Sequence, residues 1–246
     1  MRLKLALRPT NRRIRMLVGL FLAGLFCTQF ISSTEARKNS NLIQVISGQT
    51  IGENAPEVLR KLERLAKTDH IALLEFCLKN YHDRYNDYTC TLIKRERIAG
   101  VWGKEQHIAV RFLDKPFSVA MKWISNAPIG DLVLYVEGKY DNHMLVRPKS
   151  PILRALVGVV RREPSGRDAM KKTLRPVNMF GFERGLRSLL KIYRLADKNG
   201  DLKEVFGEYG QLAGRKVIIL ERYLPAKKLY PAKKTVICID VEYLLP

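Results

Sequence analysis

Two alternating runs, Ile108/Val110/Phe112 and Phe117/Val119/Met121/Trp123, do most to restrict what this chain folds into. Every second side chain in them is apolar, and between Phe117 and Trp123 the intervening positions are Ser118, Ala120 and Lys122. Period-two alternation places the apolar set on one face of a β-strand. The same pattern recurs on both sides. Tyr88 to Ile98 is rich in β-branched and aromatic residues, and Gly100 and Gly103 separate it from Ile108. Leu132 to Val136 reads as a further strand, and Met144 to Val146 returns after the turn residues Tyr140-Asp141-Asn142. The strands are short and sequential, so hairpins are the simplest connections.

Helical spacing appears before and after this meander. Pro56 suits the first turn of a helix, with Val58, Leu59, Leu62, Leu65 and Ala66 following at helical intervals. Asp69 is positioned to cap a second helix, whose stripe is Leu73, Leu74, Cys77, Leu78 and Tyr81. Residues 147–177 read as irregular, with prolines at 148, 151, 164 and 176 and a short apolar piece from Ile152 to Val160. Phe180 to Ala196 predicts a third helix. Three strands then close the chain, Leu202–Tyr209, Lys216–Tyr223 and Thr235–Val241, with Gly210 and Gly214 between the first two. Helices, meander, helix and meander make an α+β fold, not a β-α-β alternation.

Residues 1–36 read as a signal peptide. Six basic residues precede the apolar run Met16–Cys27, which is shorter than the roughly 20 apolar residues a membrane span needs. Thr34-Glu35-Ala36 supplies small side chains for cleavage. The alternative is an uncleaved anchor, lengthened by Phe30 and Ile31. Phe26 before Cys27 is too large for lipid attachment at that cysteine. Residues 37–54 read as a flexible leader and 55–246 as a single domain, which ends at Leu244-Leu-Pro246 just after a strand and looks cut short. The formal charge is +20; removing six basic residues and Glu35 with residues 1–36 leaves 38 basic against 23 acidic residues, or +15. Such a field draws polyanions and is screened by salt. For an exported chain the expected partners are an anionic membrane surface or an envelope polymer, and no nucleic acid.

Motifs for catalysis are absent. His70, His82, His107 and His143 share no register, and there is no HExxH, no GxSxG and no phosphate-cradling glycine loop. No cofactor or metal is expected. Asp197, Asn199, Asp201 and Glu208 sit at calcium-loop positions, but Leu202 stands where that loop needs glycine, so the segment reads as a plain turn. Cys77, Cys90 and Cys238 remain after cleavage. Their odd number is no disulfide framework, although one pair, Cys77 with Cys90, is open.

Tyr88–Ile98, Lys115-Pro116 followed by Phe117–Trp123, Leu134-Tyr-Val-Glu-Gly-Lys139 and Asp141-Asn142 together resemble a bacterial exported family, domain of unknown function 1571, over about residues 60–246. The layout also resembles the LolA-like superfamily, which includes periplasmic lipoprotein carriers. This likeness implies a strongly curved antiparallel sheet, an incomplete half-barrel, with two N-terminal helices and one later helix covering its concave side. Such an apolar face must be covered by the chain's own helices or by an apolar ligand. The resulting expectation is a non-enzymatic protein of the periplasm or cell envelope holding a lipid or lipidated protein against Phe112, Phe117, Val119, Met121, Trp123, Leu134 and Val136. Lys227, Lys228, Lys233 and Lys234, from the tandem Pro-Ala-Lys-Lys loop, are the candidates to meet anionic head groups. The alternative is an envelope scaffold or surface-binding protein held by its basic charge, without a ligand cavity.

Overall fold

The computed structural model describes residues 52 and 55–246, together with the backbone of three earlier strands, Arg2–Ala6 (β1), Met16–Phe21 (β2) and Ile43–Ile46 (β3). The cleavage-site residues 34–36 and most of the leader lie outside the described residues. The chain divides into two compact units, one holding Arg84–Gly185 with Met1–Leu17, the other Val18–Asp83 with Leu186–Pro246.

Helices α1 (Glu57–Thr68) and α2 (His70–Arg84) come first. Pro56 stands just ahead of α1 as its N-cap, and Leu62 and Ala66 face the core while Val58 is exposed. Asp69 does double work at the junction. Its N–H donates to the Leu65 carbonyl, closing α1, and its carboxylate accepts from the Ala72 N–H at 2.8 Å, opening α2.

The first unit is built on a curved antiparallel sheet of six strands that is not closed into a barrel. Its strands are β4 (Asp87–Lys94), β7 (Gln106–Leu113), β8 (Ser118–Ser125), β9 (Gly130–Val136), β10 (Met144–Pro148) and β11 (Val160–Arg162), each paired with the next. The hairpin β5 (Arg97–Ile98) and β6 (Val101–Trp102) turns at Ala99-Gly100, both at positive φ. β1 pairs with the other edge of β4. Two short helices, α3 (Pro151–Val157) and α4 (Arg167–Met170), interrupt the segment read as irregular.

The second unit adds α5 (Phe182–Lys198), whose larger part belongs here, and the strands β12 (Lys203–Leu212), β13 (Arg215–Tyr223) and β14 (Lys234–Asp240). β13 lies between the other two, with β3 along β12 and β2 along β14. Leu62, Leu73, Leu74, Leu186 and Leu190 from the helices pack on Ile218, Leu220 and Ile237. Burying each such side chain is worth about 1.5–3 kcal/mol. β12 runs through Gly210 to Leu212 instead of stopping at Tyr209; the turn is Ala213-Gly214, with φ of 53° and 81°. A bulge between Phe206 and Tyr209 brings both residues to the helix-facing side, across from Leu220 and Ile218. Gly207 is required there, because a Cβ would come within 2.9 Å of Ile219 Cγ2. The last residues are structural: Leu244 and Leu245 are buried.

Candidate functional site

Strand register sorts the residues expected to line a cavity. Cys90, Val110, Met121 and Val133 stand opposite one another across four strands, and Tyr88, Phe112, Val119 and Tyr135 form the next row. Leu92, Ile108 and Trp123 form a third. Phe112, Val119, Met121 and Trp123 therefore share one face, and Phe117 joins them from the turn before β8 through an edge contact with the Phe112 ring at 5.4 Å. Leu134 and Val136 do not share it. They pair with Ala120 and Ser118 on the other face, and their inward places are taken by Val133 and Tyr135. The reason is the pleat: adjacent residues point to opposite sides.

This face is filled by the chain's own side chains. Phe180 and Phe182 close over it, with ring centroids 5.9 Å from Phe112 and 5.3 Å from Tyr88 respectively, while Tyr88 stacks on Phe112 at 4.7 Å. Gly181, at φ +106°, lets the backbone pass; a Cβ would sit 3.0 Å from the Phe112 ring. Arg184 secures the cover. Its guanidinium lies 3.6 Å from the Phe117 ring centroid and donates to Glu137 at 2.9 Å and to the Asn178 carbonyl. The far end of the face is polar: Lys94 reaches Glu96 and the Thr173 hydroxyl, each at 2.9 Å, and Trp123 donates to Gln106.

A second constellation lies in the other unit. Glu204, Arg222 and Thr235 form one cross-strand row two residues from Phe206, Leu220 and Ile237, hence on the helix-facing side. Arg222 is buried, lies 4.7 Å from the Tyr193 ring centroid and donates to the Thr235 hydroxyl at 2.6 Å. Its Nε and Nη1, the Tyr193 hydroxyl, Glu204 Oε1 and His70 Nδ1 are buried and find no hydrogen-bond partner among the described residues. Glu204 Oε2 accepts from the His70 N–H at 3.2 Å, and the His70 ring meets the Ala66 carbonyl through Nε2. Sequence patterning does not single out this row. The one signal it offers is a charge, Arg222, in phase with Leu220 and Ile218.

Burial pushes His70 below its ordinary value of 6.5, outweighing the opposing Ala66 carbonyl and Asp69. Burial pushes Glu204 above its ordinary 4.5, with the His70 N–H opposing and Asp69 and Asp197 adding to the rise. The two act oppositely on stability. The His70 contribution is complete above about pH 6.5 and is lost as pH falls through that value toward the lowered folded pKa; the Glu204 contribution is complete below about 4.5 and is lost as pH rises through the raised folded pKa. Glu204→Gln keeps an acceptor for His70 and is expected to be more stable than the parent at neutral pH. The gain should vanish below about 4.5. Urea midpoints across that range test it; a gain independent of pH would contradict it.

The lysine loop is more committed than its sequence suggests. Lys227 donates to both Asp201 carboxylate oxygens at 2.8 and 2.6 Å, and Lys234 pairs with Glu221 at 2.9 Å, leaving Lys228 and Lys233 exposed without such partners among the described residues. Tyr230 is buried against Ala196 and Leu224 and donates to Asp201, so the loop is pinned to α5. Large apolar side chains that stay exposed gather elsewhere, on α3 and just beyond it: Ile152, Leu153, Leu156, Val157 and Val159.

Residues 85–246 match the family described as protein of unknown function (DUF1571). The chain belongs to the DUF1571 family. A solved structure of a DUF1329 family protein from Desulfovibrio piger is also similar, at 14% identity over 71% of this chain and 69% of that one, with a TM-score of 0.33. No curated protein matches significantly.

Cys77, Cys90 and Cys238 are buried free thiols, and burial raises all three, Cys77 and Cys238 to about 12, so none is poised as a thiolate. In the Asp197–Asp201 segment, Asp201 is held by Lys227 and Tyr230, and Asn199 donates to the Tyr230 hydroxyl; the segment is the last turn of α5 and the turn that follows it. Among the described residues no group of three or more His, Cys, Asp or Glu gathers as metal ligands do, and no described helix is long and apolar enough to cross a membrane.

Proposed function

We propose that this DUF1571 protein is a non-enzymatic, exported protein of the cell envelope that associates with anionic surfaces through its basic charge. The observation that supports it is the state of the curved sheet: its apolar face is packed with Tyr88, Phe112, Phe180 and Phe182, and a carrier would need that space for its ligand. With the interior occupied, the strong positive charge is the chain's most general means of recognition. Localisation in the periplasm or envelope follows from the leading basic and apolar residues; an uncleaved signal would anchor the same domain to the membrane.

The test is retention of the protein on anionic vesicles and on a soluble anionic wall polymer at rising salt. Retention at low ionic strength is expected to fall about tenfold or more near 1 M salt, where the screening length is only about 3 Å. Absence of binding at low salt, or binding that ignores salt, removes the reading. Binding of a fluorescent fatty acid by delipidated protein, saturable and tight, would favour the carrier instead. Phe180 and Gly181 lie in the connection into α5 and Phe182 is the first residue of that helix, so a ligand entering there would displace only this cover and not the sheet.

A further inference from the structure

We propose that α3 is a membrane-docking element that inserts its apolar stripe into an anionic lipid bilayer. This rests on the reading above and names its partner and the part of the chain that meets it. Ile152, Leu153, Leu156 and Val157 fall on one side of the helix by spacing, and none of the residues of α3 is buried. Ile152 is 72% and Leu156 75% exposed, and Val159 beyond Gly158 extends the patch. An apolar helical stripe ordinarily packs against its own protein; this one faces away from it.

The outward orientation is fixed, not slack. Ser150 caps the helix by accepting from the Leu153 N–H, and Pro151 starts it. Arg154 donates to Asp131 at 2.9 Å and reaches the Pro148 carbonyl at 3.3 Å. Asp131 also takes two hydrogen bonds from Arg147, at 2.8 and 3.0 Å. The helix is thereby bolted to β9 and β10 by its polar side, and its apolar side cannot turn inward without breaking the bolt.

Charge selects the occupant. Residues 147–175 carry nine basic side chains against two acids, Glu163 and Asp168. Lys149, Arg161, Arg162, Arg167, Lys171 and Lys172 are all exposed. Arg161 and Lys171 also meet Asp141 and Asp168, and the excess of cations remains. Apolar side chains flanked along the chain by exposed cations match the boundary between acyl chains and anionic head groups. A second copy of the same patch would set cation against cation, which argues against self-association.

The experiment is co-sedimentation of the full chain with phosphatidylcholine vesicles, with and without phosphatidylglycerol, beside retention on a soluble anionic wall polymer. Parent protein is expected to bind only the vesicles containing phosphatidylglycerol. The double variant Ile152→Asp/Leu156→Asp is expected to lose vesicle affinity tenfold or more, with its urea midpoint unchanged because both positions are exposed. Tryptophan emission of Leu156→Trp should shift to the blue on the anionic vesicles. If the double variant binds vesicles as the parent does, or the emission stays put, the inference fails while the surface-binding reading survives. Retention on the polymer without any on vesicles has the same meaning. Loss of both overturns both. A dimer in solution that Leu156→Asp dissolves would show the patch to be a self-interface and overturn the inference.

Discussion

Phe112→Ala is expected to destabilise the first unit by about 4 kcal/mol, the cost of emptying an aromatic site in a packed core. Phe112 is buried, stacked on Tyr88, edge-on to Phe117 and tilted against Phe180. The Gly181 backbone also lies against its ring, so the hole opens where sheet and cover meet. The matched control is Leu134→Ala on the other face of the same sheet, where partial exposure lowers the expected cost to about 1 kcal/mol. Both tryptophans, Trp102 and Trp123, lie in this unit, so their emission during urea unfolding reports on it directly. Equal costs for the two variants would mean that the register, and with it the buried face, is wrong.

Asp240→Asn is expected to cost the second unit about 3 kcal/mol. The Asp240 carboxylate is buried and accepts four hydrogen bonds: two from Arg215, at 2.5 and 3.0 Å, and one each from the Glu242 and Tyr243 N–H groups at 2.9 Å. Asparagine turns one oxygen into a donor facing donors and leaves the Arg215 charge with only the exposed Glu242 carboxylate as counter-ion. The same carboxylate shapes the turn that seats Leu244 and Leu245, so packing is lost along with charge. Glu242→Gln removes the other partner of Arg215; the Glu242 side chain is 66% exposed, so the change should cost no more than about 0.5 kcal/mol. Far-UV circular dichroism in urea measures both, since this unit holds no tryptophan among its described residues. A small effect from both variants would show that Arg215 and Asp240 are separated by solvent.

The features legible in the amino-acid sequence are local ones. Pro56 and Asp69 announce α1 and α2 because caps act within one turn. Ile108, Val110 and Phe112 share a face, as do Val119, Met121 and Trp123, because Ala109, Arg111, Ala120 and Lys122, small or charged, alternate with them and mark the phase. The α+β order follows from such short-range patterns, while the unclosed antiparallel sheet is what the resemblance to the family implied.

Leu132–Val136 offers no such mark. All five residues are apolar, so alternation cannot say which of them point inward, and the pairing of Met121 with Val133 decides it for Val133 and Tyr135 against Leu134 and Val136. The bulge at Gly207-Glu208 shifts β12 by a residue in the same non-local way. The stripe on α3 has the spacing of a core helix, yet Asp131, 23 residues ahead of its partner Arg154, holds it facing outward. The sequence alone determined α1, α2, α5 and the longer strands, though not α3 and α4, since cap, period and turn chemistry act between near neighbours. Only the tertiary structure decided which faces are buried and what fills them, because burial depends on partners that the chain brings together from far apart.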